Sequence, residues 1–409
     1  MDSLTQITLG AAVGEVVLGK KVGNRAMFWG AVGGTIPDLD VMANLVTDEM
    51  SSLAFHRSIT HSAFFAILTP IALGWLVHRL YNAQEKNWGE LWKGWGLTAL
   101  AFFLVTAIGV IVLPIPGNDI LQISGTVTAA IMTVPLLVLI REKLRTKPHQ
   151  RENPRWQAWA WLFFWTILTH PLLDCCTTYG TQLFQPFSDY RIGLNNISVA
   201  DPLYTLPFLL FVIAASFYTR HRPIRQQLNR LGIIISSIYM VFTFYNKYRI
   251  NQIFEQSLAA QGIEYQRYMT TPSIFNNILW NGVAETEDAF YLGMYSFFDS
   301  SPQVQQFVRQ PKNHDLLKDY QRQRPVEVLQ WFTNEYYNVL QLPDGRIQIN
   351  DLRFGRIGTA ENETADFVFN FIFADENGNL IFKEGGGGPP EDGEAEKIFA
   401  DLWTRIKGI

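Results

Sequence analysis

The sequence predicts a mainly α-helical polytopic membrane domain over residues 1–249, followed by a soluble α+β domain with a mostly antiparallel sheet over 250–409. Three observations carry this reading. The long apolar runs are confined to the first part, so a mean hydropathy only slightly above zero hides a sharp division along the chain. Several of those runs reach the length that a bilayer demands. After residue 250 the pattern changes to short alternating segments separated by turn signals.

Residues 95–115 and 120–140 contain no charged side chain. At about 1.5 Å per residue, each forms a helix of roughly 30 Å, the thickness of the hydrocarbon layer. Segments 62–77, 156–173, 202–219 and 231–246 are shorter spans of the same kind. Segments 4–19 and 26–46 are weaker, being Gly-rich and carrying Glu15 or Asp38 and Asp40. They read as short helices packed inside a bundle. Met1-Asp2-Ser3 offers no basic leader and Glu15 interrupts the first apolar stretch, so insertion is expected through the internal spans.

Basic residues orient the spans. Lys20, Lys21 and Arg25 lie between the first two segments, six Lys or Arg crowd the link from 140 to 156, and Arg220, Arg222, Arg225 and Arg230 crowd the next basic link. With eight crossings these links share the cytoplasmic side of a cell (inner or plasma) membrane. Everything at the other span ends, and the soluble domain, then faces the extracytoplasmic side. The chain has 33 basic and 37 acidic residues, a net charge of -4, so no global field favours nucleic acid as a partner. Cys175 and Cys176 are adjacent, which rules out a disulfide framework within the chain.

Three clusters converge on that opposite face. His170-Pro171-Leu172-Leu173-Asp174 ends one span; residues four apart lie about 40° apart on a helix, so both side chains reach one ion. Pro171 predicts that the helix opens or restarts there. His56-Arg57-Ser58-Ile59-Thr60-His61 precedes another span. His56 and His61 are about 140° apart on a continuous helix, so His56 belongs in the preceding turn, with Ser58 or Thr60 as the cap or as a hydrogen-bond partner of a ligand. Pro37-Asp38-Leu39-Asp40 follows Gly33-Gly34 and presents two carboxylates on a loop. Histidine, aspartate and oxygen donors are the ligands of hydrolytic zinc, manganese and iron sites. The candidate ligands are therefore Asp38, Asp40, His56, His61, His170 and Asp174, with Asp40 also a candidate general base and Arg57 placed to stabilise negative charge. Asp2, Gln6 and Asp201 reach the same face, each with a good alternative as a terminus, a span-end polar group or a cap. His78, His149 and His221 fall near the basic links, and His314 in the soluble domain.

These residues resemble the YdjM-like membrane-bound metal-dependent hydrolases. The resemblance rests on Met1-Asp2-Ser3-Leu4-Thr5-Gln6, Gly34-Thr35-Ile36-Pro37-Asp38-Leu39-Asp40, His56 to Ser62, and His170 to Asp174 with Thr177 and Gly180, across roughly the first 200 residues. It implies a membrane-bound hydrolase using one or two divalent metals, zinc first, with manganese or iron as alternatives. Many members carry histidine where this chain has Gln6, which weakens the case for a second ion. The implied partners are membrane lipids and a small-molecule or lipid substrate, with a phosphoester suited to Arg57. The rival classes are a scaffold or sensor with a structural metal, and an ion transporter.

In the second domain a helix is expected over 250–265, strands over 277–283, 289–295, 338–342, 346–354, 366–373 and 379–383, and helices over 326–336 and 394–406. Pro343-Asp344-Gly345 and Asp375-Glu376-Asn377-Gly378 mark two hairpins. The run Gly385 to Gly388 before Pro389-Pro390 reads as a linker.

Overall fold

The computed structural model of the chain describes residues 1–45, 47–83, 153–356, 367–385 and 394–408. The expected spans over 95–115 and 120–140, the basic link before Asn153, His149 and most of the glycine run lie outside the described residues.

The N-terminal region is helical. Helix α1 (Ser3–Val22) is capped by Asp2, whose carboxylate accepts the Thr5 N–H at 3.0 Å, and ends at Gly23 with φ of 63°. Helix α2 (Asn24–Thr35) returns beside it. The two meet through facing glycines, Gly10 and Gly14 on one and Gly30 and Gly34 on the other; a Cβ at Gly34 would lie 2.6 Å from the Gln6 carbonyl oxygen. Small residues four apart let two backbones approach as closely as helices do within bilayers. A 3-10 helix (Pro37–Leu45), helix α3 (Glu49–Phe55) and a short 3-10 turn (Ile59–His61) then lead into α4 (Ala63–Ala83). Ser62 caps α4 by accepting the Phe65 N–H at 3.0 Å, a role that falls to neither Ser58 nor Thr60.

Helix α5 (Trp156–Asp174) packs on α4 and on α1 and α2. It runs through Pro171 unbroken, contrary to the expected opening. Proline removes one N–H and leaves the helical path in place, so His170 and Asp174 stay on one face. Helices α6 (Pro202–Ser216) and α7 (Pro223–Ala260) form the last hairpin of the region. Asp201 caps α6 and also accepts the Tyr239 hydroxyl at 2.9 Å, so its polar atoms serve the fold. Glu15, the charge that interrupts the first apolar segment, is buried in a two-toothed ion pair with Arg225, at 2.7 Å to Nε and 2.5 Å to Nη2.

Among the described residues, two helices, α4 and α7, are long and apolar enough to cross a membrane. Their outward faces carry exposed Ile67, Leu68, Ile71 and Trp75 on α4 and Ile234, Ile238 and Val241 on α7.

Helix α7 continues past residue 249 into the second region without a break. Its Ile250, Ile253, Phe254 and Leu258 pack on Trp280, Ala284 and Tyr295 of the first of two antiparallel sheets, ordered β1 (Arg267–Pro272), β2 (Leu279–Glu285), β3 (Ala289–Ser296), β4 (Val308–Pro311). The second sheet is the meander β5 (Tyr337–Gln341), β6 (Ile347–Arg356), β7 (Phe367–Glu376), β8 (Asn379–Gly385). Helix α8 (Arg324–Thr333) covers this sheet through Val326, Leu329 and Phe332, and α9 (Glu394–Ile406) is tied to the first through the Arg405–Asp299 ion pair. Both expected hairpins form, with Gly345 and Gly378 at φ of 86° and 83°. Strands β1 and β4 gave no distinct alternating signal in the sequence. Met50 of α3 is buried in the core of the second sheet, so the loop region between α2 and α4 and the β domain share one hydrophobic cluster.

Candidate metal centre

Asp38, His61, His170 and Asp174 come together at one end of the helical region, their ligand atoms all within 4.8 Å of one another. His61 Nε2 lies 3.4 Å from Asp38 Oδ1 and 3.4 Å from Asp174 Oδ2. His170 Nε2 lies 3.3 Å from Asp38 Oδ1, 3.2 Å from Asp174 Oδ2 and 3.1 Å from His61 Nε2. Ligands about 2.0–2.1 Å from a tetrahedral ion stand about 3.3–3.4 Å apart. Five of the six pairs among the four atoms are close to this spacing, and the sixth, between the two carboxylates, lies within 4.8 Å. Asp174 Oδ2 is buried and accepts no hydrogen bond, as expected of an oxygen that faces a cation. Three of the side chains are fully buried, while Asp38 retains 20 % exposure and marks the open side.

Each ligand is held from behind. The carbonyl of Gly34, delivered by the close α1–α2 packing, lies 2.6 Å from His170 Nδ1; with the proton on Nδ1, Nε2 is left as the donor atom. Asp40 Oδ2 stands 3.4 Å from His61 Nδ1 and supports that ring in the same way. Asp174 Oδ1 receives the Gln6 amide at 2.9 Å and also contacts the Met1 α-amino group.

The six sequence-marked candidates thus divide into two groups. Asp38, His61, His170 and Asp174 converge. Asp40 and His56 stand one layer behind, bonded to each other at 3.0 Å. Residues two apart on a 3-10 helix point about 120° apart, which is why Asp38 and Asp40 face different groups. His56 is the C-cap residue of α3, and burial pushes its pKa down against the pull of Asp40, so its ring is neutral at pH 7. Gln6 is a donor to Asp174 and to the His170 carbonyl, at 2.9 and 3.3 Å. Asp2 and Asp201 are helix caps. His78 and His221 lie at the opposite end of the helices, and His314 stacks on Tyr337 in the β domain.

Arg57 borders the cluster, its Nε 3.6 Å from Asp174 Oδ2 and its Nη1 donating to Thr177 Oγ1 at 3.0 Å. Its φ of 60° is a left-handed conformation that costs a non-glycine residue of order 1 kcal/mol or more. The Arg57 N–H donates to Asp40 Oδ2 at 2.7 Å, which holds the strained turn in place.

Sequence reasoning passed over Tyr179 and Arg191. The Tyr179 ring lies between the guanidinium groups of Arg57 and Arg191, at 4.8 and 4.7 Å from its centroid. Arg191 donates to the carbonyls of Tyr179, His56 and Gly180 at 3.2–3.4 Å and packs over Trp331 and Phe332 of α8. Burial lowers its pKa to about 10, which leaves it cationic at neutral pH. Neither Tyr179 nor Arg191 sits in a cluster of potential ligands, so no local pattern marks them.

The donors are all nitrogen and oxygen. Cys175 and Cys176 follow Asp174 directly, yet neither thiol joins the converging atoms, and burial pushes them up to about 12 and about 11. Two imidazoles and two carboxylates suit zinc, manganese or iron.

A helical region with exposed apolar faces, bearing a His/Asp cluster at one end beneath a β domain, defines a membrane-protein architecture with a possible metal site. The family model for the YdjM inner membrane protein matches residues 1–250, and the chain belongs to that family. Comparison with curated proteins and with solved structures gives no match.

Proposed function

We propose that this chain is a multi-pass membrane hydrolase whose Asp38, His61, His170 and Asp174 hold one divalent metal ion. The observation that carries the reading is the convergence of these four donor atoms within 4.8 Å of one another, one of them a buried carboxylate oxygen that accepts no hydrogen bond. A metal held there would acidify a bound water and polarise a substrate oxygen. A divalent cation balances the charges of Asp38 and Asp174, and the Arg57 guanidinium borders the site beside them. A guanidinium in that place suits an anionic substrate group such as a phosphoester. Asp40, held by His56 and the Arg57 N–H, orients His61 from behind.

A second reading draws on the completeness of the set: four protein ligands are the mark of a structural zinc, whereas a catalytic one keeps a position for water. Exposure of Asp38 and the absence of thiolates from the set favour catalysis. Metal analysis of the purified protein, followed by turnover of phosphoester and lipid substrates, separates the readings. One bound ion per chain, lost in His61→Ala and His170→Ala, with hydrolysis that disappears on chelation, is the expected outcome. Unchanged metal content in both variants rejects the site. Bound metal without turnover, with a lower melting temperature after chelation, supports the structural reading.

A further inference from the structure

A cleft of about 630 Å³ opens beside the loop that carries His56 and Arg57. Its walls come from α3, from the segment 182–189 and from one face of α8, and its volume falls in the range of small-molecule sites. Phe55 and Ser58, which flank His56 and Arg57 in the chain, both line it, and the Gln182 N–H donates to the Arg57 carbonyl at 3.0 Å.

We propose that this cleft receives the zwitterionic phosphate–amine headgroup of a membrane lipid. Its charges are mixed. Arg324 lies on α8 with its Nη2 fixed to Ser51 Oγ at 2.8 Å, while Glu327 and Asp189 supply carboxylates on the α8 and loop walls. A cation and two carboxylates in one cleft match a ligand carrying both signs, whereas a purely anionic headgroup would meet two like charges. The segment that forms one wall also carries Phe184, Phe187 and Tyr190, of which Phe187 is 84 % exposed. It sits at the start of α4: the Ala63 N–H donates to the Leu183 carbonyl at 2.9 Å, and the Phe187 and Phe64 rings lie 6.2 Å apart. From there the exposed Phe64, Ile67, Leu68 and Ile71 continue along α4. Exposed aromatics beside an apolar stripe are the signature of a membrane–water boundary. Acyl chains would lie along that stripe with the headgroup in the cleft, next to Arg57.

Turnover of such a lipid rests on the metal-centre reading, but its binding does not. The test uses the full chain, delipidated in detergent and titrated with short-chain phosphatidylethanolamine or phosphatidylglycerol, with retention read by native mass spectrometry. The proposal expects phosphatidylethanolamine to bind at least about fivefold more tightly, a difference of the size that one partly solvated charge contact gives. Asp189→Asn and Glu327→Gln should each remove most of that preference, and Arg324→Gln should weaken both lipids alike, while metal content stays at the wild-type value, which reports that the site region is folded. His170→Ala should lose metal and keep the lipid preference. Equal binding of the two lipids, preference for phosphatidylglycerol, or selectivity untouched by both carboxylate variants overturns the proposal. Selective binding in a protein that holds no metal or hydrolyses nothing leaves the cleft standing and rejects the hydrolase reading instead.

Discussion

Asp38 and Asp40 leave one 3-10 helix in different directions, so their substitutions should have different consequences. Asp38→Asn removes a carboxylate from the converging set and should abolish stoichiometric metal. Asp40→Asn removes the support behind His61 and should weaken metal affinity about 10- to 100-fold, the usual cost of an outer partner, while full occupancy returns at high metal. Competition titration with a chromogenic chelator distinguishes the two, and equal loss in both variants would mean that Asp40 ligates directly. Arg57→Gly tests a third role. Glycine accepts φ of 60° without strain, so the turn should persist and metal should stay, while turnover falls by about 10²-fold, as when one charge-stabilising donor is deleted. A loss of metal along with activity would place Arg57 in the scaffold. All four converging residues lie within the histidine and aspartate clusters that the sequence displays. Their separation from Asp40 and His56 was illegible there, because it depends on a 3-10 helix and a helix C-cap that residue spacing does not specify.

The helices bring these groups into register through contacts that no local pattern announces. Glu15 interrupts an apolar segment and looks like a fault in a span until Arg225, 210 residues later, closes on it. Breaking one side of a buried ion pair typically costs about 3–5 kcal/mol because the other charge stays buried. Glu15→Ala should therefore lower the unfolding midpoint strongly, whereas Glu15→Ala with Arg225→Met should recover much of the loss. Chemical denaturation in detergent reads both, and a double variant no better than the single one would show that the helices need the charges themselves. Metal content should follow stability in this series, since α1 carries Gln6 and sets the position of the Gly34 carbonyl. Helix existence was plain from apolar runs in α4, α5 and α6. The continuity of α5 through Pro171 was not, since proline signals a break and tertiary packing decides whether one occurs.

At the scale of the molecule, the helices divide two kinds of chemistry between their ends. The site end holds the His/Asp cluster, the aromatic segment 184–190 and the β domain, which reaches the cluster through Phe332 on Tyr179, 5.1 Å between ring centroids. The other end holds Lys20, Lys21, Arg25, Arg220, Arg222 and Arg225, with Arg220 donating to the Lys21 carbonyl. Under the multi-pass reading proposed above, basic residues retained on the cytoplasmic side would place this end there. The division into an apolar and an alternating half was legible from composition. The contact between the halves was not, for it rests on Met50 of the short helix α3, on Tyr179 in a turn, and on α7 running through the expected boundary at residue 249. Opposite placement of the two ends can be measured directly. With Cys175 and Cys176 replaced by serine, Phe187→Cys should react with a membrane-impermeant maleimide in intact spheroplasts. Thr219→Cys, exposed in the turn between α6 and α7, should react only after permeabilisation. Labelling of both positions from the same side would overturn the membrane orientation. The substrate would then have to be sought in the cytoplasm, while the geometry of the cluster would still call for a metal.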